Sequence, residues 1–418
     1  MNSAKGSILP LFLAATLCAQ APEPARIRLW KADIDAFAAH YSVGHPVPFR
    51  HLSKAEFERR TGALKRELPS LKDHEIAARW TKLVADLGDE HTEIDFDAEF
   101  GARRLPIEIE SYGDGTFIAG ATAPFKELLG ARLDRVEGLP LVDLRQALKP
   151  YVPFTQEGWF HHVFDESFGI WPLLMDGAGI LKVKAFWTLG GIGADGKPFS
   201  AEVPLASEAT MRSWKWEEGA GLTALKDQHP RSAYYFQLLV PEKAVYFRLR
   251  TCDNDRRKPF KGVLAGAMKA MRESGLERLV VDLRGNTGGS EALVDRLVSA
   301  LMKEPRLRVA GRLVVLTDAA VFSAAAVAAW RLRHDAGALL VGETCGASAN
   351  HIGAVEDIRL PSRRTASYGT QIHIINQAAP DDFKSPILPD LEVRLTHEDV
   401  LKGRDPVLEA ALWMPLVH

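Results

Sequence analysis

The second half of the chain alternates between short apolar runs and longer amphipathic segments. The apolar runs have the length of strands, and each is followed by a segment in which apolar residues recur at helical spacing. The predicted strands cover residues 245–249, 279–283, 313–316 and 338–341, and the predicted helices cover residues 260–273, 290–301 and 323–333. Strands that are apolar throughout are typical of a parallel sheet covered by helices on both faces. The pattern predicts an α/β domain that binds ligands beyond the carboxyl ends of its strands.

Two other patterns precede this domain. Residues 27–87 show helical periodicity, with a capping box at Ser53 and Glu56 and a further helix at 73–87 that ends at Gly88. These features predict a mostly helical amino-terminal unit.

Residues 105–204 have short strand-like runs separated by glycine turns. Asp114 and Gly115 form a hairpin signal between two such runs, and a second glycine-rich turn is expected near 190–196. Residues 141–148 are predicted to form a helix. The segment therefore predicts a small α+β unit.

The amino terminus has the features of a secretory signal. A lysine precedes an apolar run at 8–18 that is too short to span a bilayer, and small residues follow it. We expect residues 1–21 to be removed on export to the periplasm or the extracellular space. Cys18 offers a site for lipid attachment, but Leu17 before it fits such a site poorly. No later segment has the roughly 18 uninterrupted apolar residues of a membrane helix, so no membrane span is predicted.

Composition narrows the class of protein. The 418 residues are 46% hydrophobic and 25% charged, which is ordinary for globular proteins and excludes a disordered or fibrous chain. The 52 basic and 54 acidic residues give a net charge of −2. Because nucleic-acid binding depends on excess positive charge, no nucleic-acid partner is predicted.

Cysteine and histidine patterns indicate no metal site. Cys252 and Cys345, which remain after the signal is removed, either form a disulfide or are buried separately. His161 and His162 are adjacent and cannot share a helix face, and no HExxH or CxxC motif occurs. Neither a metal nor an organic cofactor is predicted.

Two strand ends carry residues suited to catalysis. The strand 279–283 leads into a glycine loop at 284–290, whose amides can bind an oxyanion at the start of a helix. The strand 313–316 leads into Ser323, which is either an N-cap or a nucleophile at a strand-to-helix turn. His91, in a polar loop after a predicted helix, is either a surface histidine or the base that such a serine needs. The residues alone leave both pairs of alternatives open.

Five blocks along the chain resemble the signature of the carboxy-terminal processing, or tail-specific, serine peptidases. The blocks are LVVDLRGNTGGS (279–290), VVLTDAAVFSAA (314–325), LVGETCG (340–346), PDLEV (389–393) and GRDPVLEA (403–410). The resemblance implies a ClpP/crotonase-like catalytic domain at 206–418 with Ser323 as the nucleophile. It also implies that the amides of Gly288 or Gly289 and of Ala324 hold the oxyanion.

The general base divides this family. One branch uses a lysine in a Gly-Lys-Gly-like loop, but no lysine lies between Ser323 and Lys384 here. The other branch resembles the tricorn protease core, whose base is a histidine in a Gly-x-x-His-type loop. The segment GDEHT at 88–92 matches that loop, so the resemblance assigns the base to His91. The region from 45–49 onward also resembles secreted members that lack the lysine.

The same branch has a carboxylate, well after the serine, that orients the histidine. Asp382 lies in a comparable place and is the predicted third catalytic residue, with Asp381 and Glu343 as alternatives. Asp282, inside a predicted strand, is expected to have a structural role.

Residues 129–142 resemble a divergent PDZ domain, a class that binds chain termini at a sheet edge. The predicted organisation is then a helical domain at 22–104, a PDZ-like domain at 105–205 and the peptidase domain at 206–418. The expected function is that of an exported serine endopeptidase that acts on peptide or protein substrates.

Two departures from the family pattern keep alternatives open. Ala326 stands where many members have a glutamate, and the usual lysine is absent. One alternative is a non-catalytic binding protein, as among the retinoid-binding relatives of this family. The other is a crotonase-type acyl-thioester enzyme, against which export argues because acyl-CoA substrates are cytosolic.

Overall fold

The computed structural model describes residues 23–218 and 224–414, and the predicted signal segment with Cys18 lies outside the described residues. The structure is a mixed α/β fold with several sheets. The described helices are α1 (Ala25–Gly44), α2 (Lys54–Glu67), α3 (Asp73–Ala85), α4 (Asp97–Phe100), α5 (Leu141–Leu148), α6 (Glu157–Ser167), α7 (Pro172–Gly177), α8 (Glu208–Met211), α9 (Phe260–Ser274), α10 (Glu291–Met302), α11 (Ser323–Ala336), α12 (His397–Lys402) and α13 (Pro406–Trp413). The described strands are β1 (Glu93–Ile94), β2 (Ile107–Tyr112), β3 (Gly115–Thr122), β4 (Arg132–Val136), β5 (Leu139–Pro140), β6 (Phe186–Ile192), β7 (Pro198–Pro204), β8 (Trp216–Glu218), β9 (Tyr234–Leu239), β10 (Ala244–Leu249), β11 (Arg278–Asp282), β12 (Leu313–Thr317), β13 (Leu339–Gly342), β14 (His351–Arg359), β15 (Thr365–His373) and β16 (Leu391–Glu392).

The predicted parallel sheet is confirmed. Its strand order is β16-β13-β12-β11-β10-β9, and all neighbours pair in parallel except β9, which is antiparallel to β10. Val281 and Val315 pack in one core with α9, α10 and α11. Val280 and Val314, one residue earlier on the same strands, pack in a second core with α13. Because alternate residues point to opposite faces, strands that are covered on both faces are apolar at nearly every position.

The amino-terminal helices pack around an aromatic core. The Trp30 ring lies 6.2 Å from the Trp80 ring, and Phe37 lies 6.0 Å from Trp80, both centroid to centroid. After α3 the chain turns sharply at Gly88, whose φ of 73° favours glycine. A Cβ there would lie 2.7 Å from the His51 ring, so glycine also provides the space for this turn.

The middle of the chain forms a seven-stranded antiparallel sheet. The predicted hairpin at Asp114 and Gly115 joins β2 to β3, as expected. The glycine-rich turn predicted from residue 190 is displaced, since Gly190 and Gly191 lie inside β6. A Cβ on Gly191 would lie 1.9 Å from the carbonyl oxygen of Arg132 on β4. This glycine therefore serves a close approach of strands and not a turn.

A third sheet contains one strand from the amino-terminal region and two from the carboxy-terminal region. β1 pairs antiparallel with β15, with Glu93 opposite Ser367 and Ile94 opposite Ala366. β15 in turn pairs with β14 in a long hairpin that follows β13. The helical amino-terminal region is thus hydrogen-bonded, through β1, to the β14–β15 hairpin that follows the parallel sheet.

The described residues resolve one alternative that the sequence left open. Cys252 and Cys345 are both free and buried, which corresponds to separate burial and not to a disulfide. None of the described helices is both long enough and apolar enough to cross a membrane.

Candidate active site

Ser323 lies at the sharp turn between β12 and α11. It is the first residue of α11, with Phe322 in the N-cap position, and its side chain caps no amide of that helix. Ser323 has a φ of 47°, a left-handed conformation that costs a residue with a Cβ roughly 1–3 kcal/mol. Strained strand-to-helix turns of this kind present nucleophilic serines in hydrolases. The structure therefore does not use Ser323 as an N-cap.

The loop that carries His91 is held by a buried carboxylate. Asp89 Oδ1 accepts a hydrogen bond from the His91 backbone amide at 3.1 Å, and Oδ2 accepts one from the Thr92 hydroxyl at 2.5 Å. His45 Nε2 lies 3.3 Å from Oδ2. Burial alone would raise the pKa of Asp89, but the nearby His45 side chain and the hydrogen bond from Thr92 hold it below its usual range. A charged Asp89 thus fixes the loop that connects α3 to β1.

The side chains of His91 and Ser323 meet. His91 Nε2 lies 3.2 Å from Ser323 Oγ. The His91 ring also packs against Phe322, at 4.9 Å between ring centroids, and lies 5.8 Å from the His351 ring. Burial lowers the pKa of His91, an effect that the charge of Asp89 opposes. A neutral His91 at neutral pH can accept the Ser323 proton.

The glycine loop after β11 lies directly against Ser323. A Cβ on Gly288 would be 2.8 Å from the Ser323 Cβ and 3.1 Å from the Ala324 amide nitrogen. The Gly288 amide donates to the Asn286 side chain at 2.9 Å. The amides of Gly289 and Ala324 have no hydrogen-bond acceptor within the described ranges. Of the three amides predicted to hold an oxyanion, these two are therefore available, while the amide of Gly288 is occupied.

Asp282 belongs to a buried ion network. Arg284 Nη2 donates to Asp282 Oδ2 at 2.7 Å and to Asp405 Oδ2 at 2.8 Å, and the Tyr246 hydroxyl donates to Asp282 at 2.7 Å. Burial alone would raise the pKa of Asp282, but Arg284 and Arg248 hold it well below its usual range. Because Asp405 also caps α13, the network fastens the glycine loop to the last described helix. Asp282 is thus structural, as expected.

None of the carboxylates predicted for the third catalytic position is hydrogen-bonded to His91. Asp382 is half-buried, and its Oδ1 accepts hydrogen bonds from the amides of Lys384 at 3.0 Å and Ser385 at 2.9 Å. The two alternatives, Asp381 and Glu343, are exposed and half-buried respectively. In the part of the chain that the structure describes, the only side-chain hydrogen bond of the His91 ring is the one to Ser323.

A cavity of about 350 Å³ opens beside His91. Its lining comes from all three regions of the chain and includes His51, Glu90, Thr155, His351, Phe383 and Lys384. Burial raises the pKa of Glu90 to about 7, although the Thr155 amide donates a hydrogen bond to this carboxylate. A space of this size beside His91 is within the range of ligand-binding pockets.

Several residues around this pair were not predicted from sequence. Trp159 on α6 stacks on Phe322 at 3.9 Å between ring centroids and 7° between planes. Burial, together with His91, lowers the pKa of His351 to about 4. His351 lies between Ser323 and Lys384, in the stretch that lacks the lysine of the other branch, and this was its only signal. Trp159 had none, because its partner is far away in sequence.

Comparisons with known proteins show the fold. No protein-family model and no curated protein matches the sequence. The structure is similar to the crystal structure of mature CPAF, with a TM-score of 0.61 and 14% identity over 92% of this chain and 96% of that chain. Mature CPAF complexed with lactacystin aligns with a TM-score of 0.58 and 14% identity over 92% and 97% of the two chains. The photosystem II D1 carboxy-terminal processing protease aligns with a TM-score of 0.41 and 14% identity, over 92% and 99%. This chain therefore has a mixed α/β fold of the kind seen in CPAF.

Proposed function

We propose that this protein is an exported serine endopeptidase in which Ser323 is the nucleophile and His91 the general base. The observation that carries the proposal is the 3.2 Å approach of His91 Nε2 to the Oγ of a serine with a φ of 47°. A strained serine is kept by a fold only where the surrounding structure imposes it, and such residues cluster at active sites. The fold shared with CPAF structures and the five resembling sequence blocks support the same class.

The chemistry follows from this pair. His91 takes the proton from Ser323 as Oγ attacks the carbonyl carbon of a peptide bond, which gives a tetrahedral intermediate and an imidazolium. The imidazolium then gives this proton to the leaving amine, and the serine is left acylated. Water, deprotonated by the same His91, attacks the ester, and His91 then returns this proton to Ser323 Oγ as the acid is released. The unoccupied amides of Gly289 and Ala324 are the proposed donors to the oxyanion, with Gly288 shaping the pocket.

Two carboxylates are candidates for orienting the His91 ring. Asp382 remains a prediction that comes from the resemblance, and it would have to leave the amides of Lys384 and Ser385 to reach His91. Asp89 already holds the His91 backbone and raises the pKa of its ring. We therefore propose Asp89 as a positioning residue and keep Asp382 as the catalytic alternative.

Each proposed domain has a separate role in the proposed enzyme. The helical domain, 22–104, carries the base, and the ClpP/crotonase-like domain, 206–418, carries the nucleophile and the oxyanion amides. The PDZ-like domain, 105–205, is proposed to recruit substrate tails. A groove of about 500 Å³ beside α5, lined in part by Leu133 and Leu141, supports a peptide-binding role for it. Export is proposed only because residues 1–21 have the sequence features of a secretory signal.

The direct test is labelling of the mature protein with a fluorophosphonate probe. Labelling should disappear in Ser323→Ala and in His91→Ala. Ser274→Ala and His40→Ala, which change exposed residues of the same types on α9 and α1, are matched controls and should label normally. Loss of labelling with Ser323 but not with His91 would show that the base lies elsewhere. Absence of labelling, together with no cleavage of unfolded protein substrates, would favour the non-catalytic binding protein.

A further inference from the structure

Three side chains with metal-binding atoms converge next to the catalytic pair. Glu291, His351 and His373 each offer one donor atom, and the three donors lie within 4.8 Å of one another. Glu291 is the first residue of α10, His351 the first of β14 and His373 the last of β15. The two histidines are directly opposite each other in the hairpin, and their rings stack at 4.9 Å with 5° between planes.

The hydrogen bonds around these rings leave nitrogen atoms free. His351 Nδ1 is 3.2 Å from the Ala349 carbonyl oxygen, so Nδ1 donates there and Nε2 keeps its lone pair. His373 Nδ1 is 2.7 Å from Glu291 Oε1. His373 Nε2 is buried and has no hydrogen-bond partner in the described parts of the chain. A buried polar atom without a hydrogen-bond partner is costly. The ion pair between Glu291 and His373 Nδ1 does not account for the unpaired Nε2 of the same ring.

A glycine leaves room beside both rings. A Cβ on Gly353 would lie 3.1 Å from His351 Nε2 and 3.3 Å from His373 Cδ2. Any larger residue would press on the two rings from this side. Glycine at position 353 therefore keeps side-chain atoms away from His351 Nε2 and from the edge of the His373 ring.

We propose that Glu291, His351 and His373 form a binding site for a divalent transition metal, with Zn²⁺ as the preferred ion. Two imidazoles and one carboxylate are a frequent zinc donor set, and a water completes the tetrahedron. Zinc binds such atoms at about 2.0–2.2 Å, so small rotations of these side chains are enough to close the donors around an ion. Carboxylate oxygens alone would suit Mg²⁺ or Ca²⁺, but neutral imidazoles favour the transition metals.

Local sequence motifs could not reveal this site. Its residues come from the start of one helix and from both strands of a hairpin, so no short spacing such as HExxH connects them. No metal was predicted from the sequence because these ligands are far apart along the chain. Only the pairing of β14 with β15 brings the two histidines together.

The site would also influence catalysis, a consequence that rests on the proposed function. The His351 ring lies 5.8 Å from the His91 ring. A bound cation would therefore place positive charge beside His91 and disfavour the imidazolium that forms when Ser323 reacts. Zinc is expected to slow fluorophosphonate labelling, and a chelator to restore it.

The test uses the untagged mature protein and begins with metal binding itself. Co²⁺ serves as the spectroscopic probe, since tetrahedral Co²⁺ absorbs visible light, and elemental analysis after dialysis against Zn²⁺ gives the stoichiometry. We expect one ion per chain, with Zn²⁺ displacing Co²⁺ and Mg²⁺ failing to do so. Glu291→Gln and His373→Gln should each weaken binding by roughly 10- to 100-fold. Glu127→Gln and His334→Gln, which change exposed residues elsewhere, should bind as the unchanged protein does.

The outcomes separate the two proposals. If the protein takes up no Co²⁺ or Zn²⁺, or if both variants are folded by circular dichroism and bind as tightly as the unchanged protein, the metal site is refuted. Either result refutes it whether or not Ser323 reacts with the probe. Metal binding, together with no labelling even after a chelator has removed the metal, would instead support the site and count against the peptidase. Binding by the unchanged protein that is lost in a folded Glu291→Gln or His373→Gln variant confirms the site.

Discussion

Ser323 Oγ and His91 Nε2 lie 3.2 Å apart, although the two residues are separated by 232 positions in sequence. Each is fixed by its own neighbours. Ser323 is held at the start of α11 in a left-handed conformation, and His91 is held by the Asp89 carboxylate before β1. The pairing of β1 with β15 then brings the two together. The contact is therefore set by the packing of elements from distant parts of the chain.

The strained backbone at Ser323 should be measurable as a loss of stability. We expect Ser323→Gly to be more stable than Ser323→Ala by about 1 kcal/mol, because glycine adopts a positive φ without the clash of a Cβ. The measurement is the free energy of unfolding in urea. Ser274, the last residue of α9, is the control, since its backbone is helical and Gly should there be less stable than Ala, by less than the roughly 1 kcal/mol of a helix interior. The same sign at both positions would mean that Ser323 is not strained.

The glycine loop should tolerate no side chain at Gly288. In Gly288→Ala the new Cβ would lie 2.8 Å from the Ser323 Cβ, so we expect fluorophosphonate labelling to be lost. Gly138→Ala is the matched control, because Gly138 also has a positive φ, of 81°, but a Cβ there would meet nothing within 4 Å. The control should lose stability and retain labelling. Equal labelling in both variants would remove Gly288 from the proposed pocket.

Much of the fold follows from local signals. The predicted helix at 141–148 matches α5 residue for residue, and Ser53 Oγ accepts the predicted hydrogen bond from the Glu56 amide at 3.3 Å. The apolar runs became the strands of the parallel sheet because both of their faces are covered. These signals are readable because the interacting residues are neighbours in sequence or share one periodic pattern.

The hairpin of β14 and β15 could not be predicted in this way. The middle of β14, from Ala354 to Asp357, is exposed, so the alternation that identifies a half-buried strand is missing. The candidate active site depends on this hairpin in two ways. β15 pairs with β1, which follows the His91 loop, and β14 begins at His351, which lies beside the His91 ring. Ser323, His91, Gly289 and Ala324 were proposed from resemblance, whereas the support from Asp89 required the folded structure.

The two candidate carboxylates can be distinguished by substitution. We expect Asp89→Asn to slow labelling roughly 10- to 100-fold, because loss of the charge loosens the loop and misplaces the His91 ring. Asp382→Asn should change the rate little, since Asp382 serves only the amides of its own turn. Thermal unfolding of both variants provides the control for global damage. A larger effect at Asp382 would show that its turn moves in the reacting enzyme and would restore it as the third catalytic residue.

Glu90 should make stability depend on pH. Burial raises its pKa to about 7 in the folded protein, whereas an unfolded glutamate titrates near 4.3. The protonated form is thus favoured by folding, so its stabilisation is complete below about pH 4 and is lost as the pH rises through about 7. We expect the unfolding free energy of the unchanged protein to fall relative to that of Glu90→Gln between pH 5 and pH 8 in urea titrations. Glu127→Gln, at an exposed position, should track the unchanged protein at both pH values. A constant difference between Glu90→Gln and the unchanged protein would mean that Glu90 is charged throughout, and that the cavity beside His91 is more hydrated than its burial indicates.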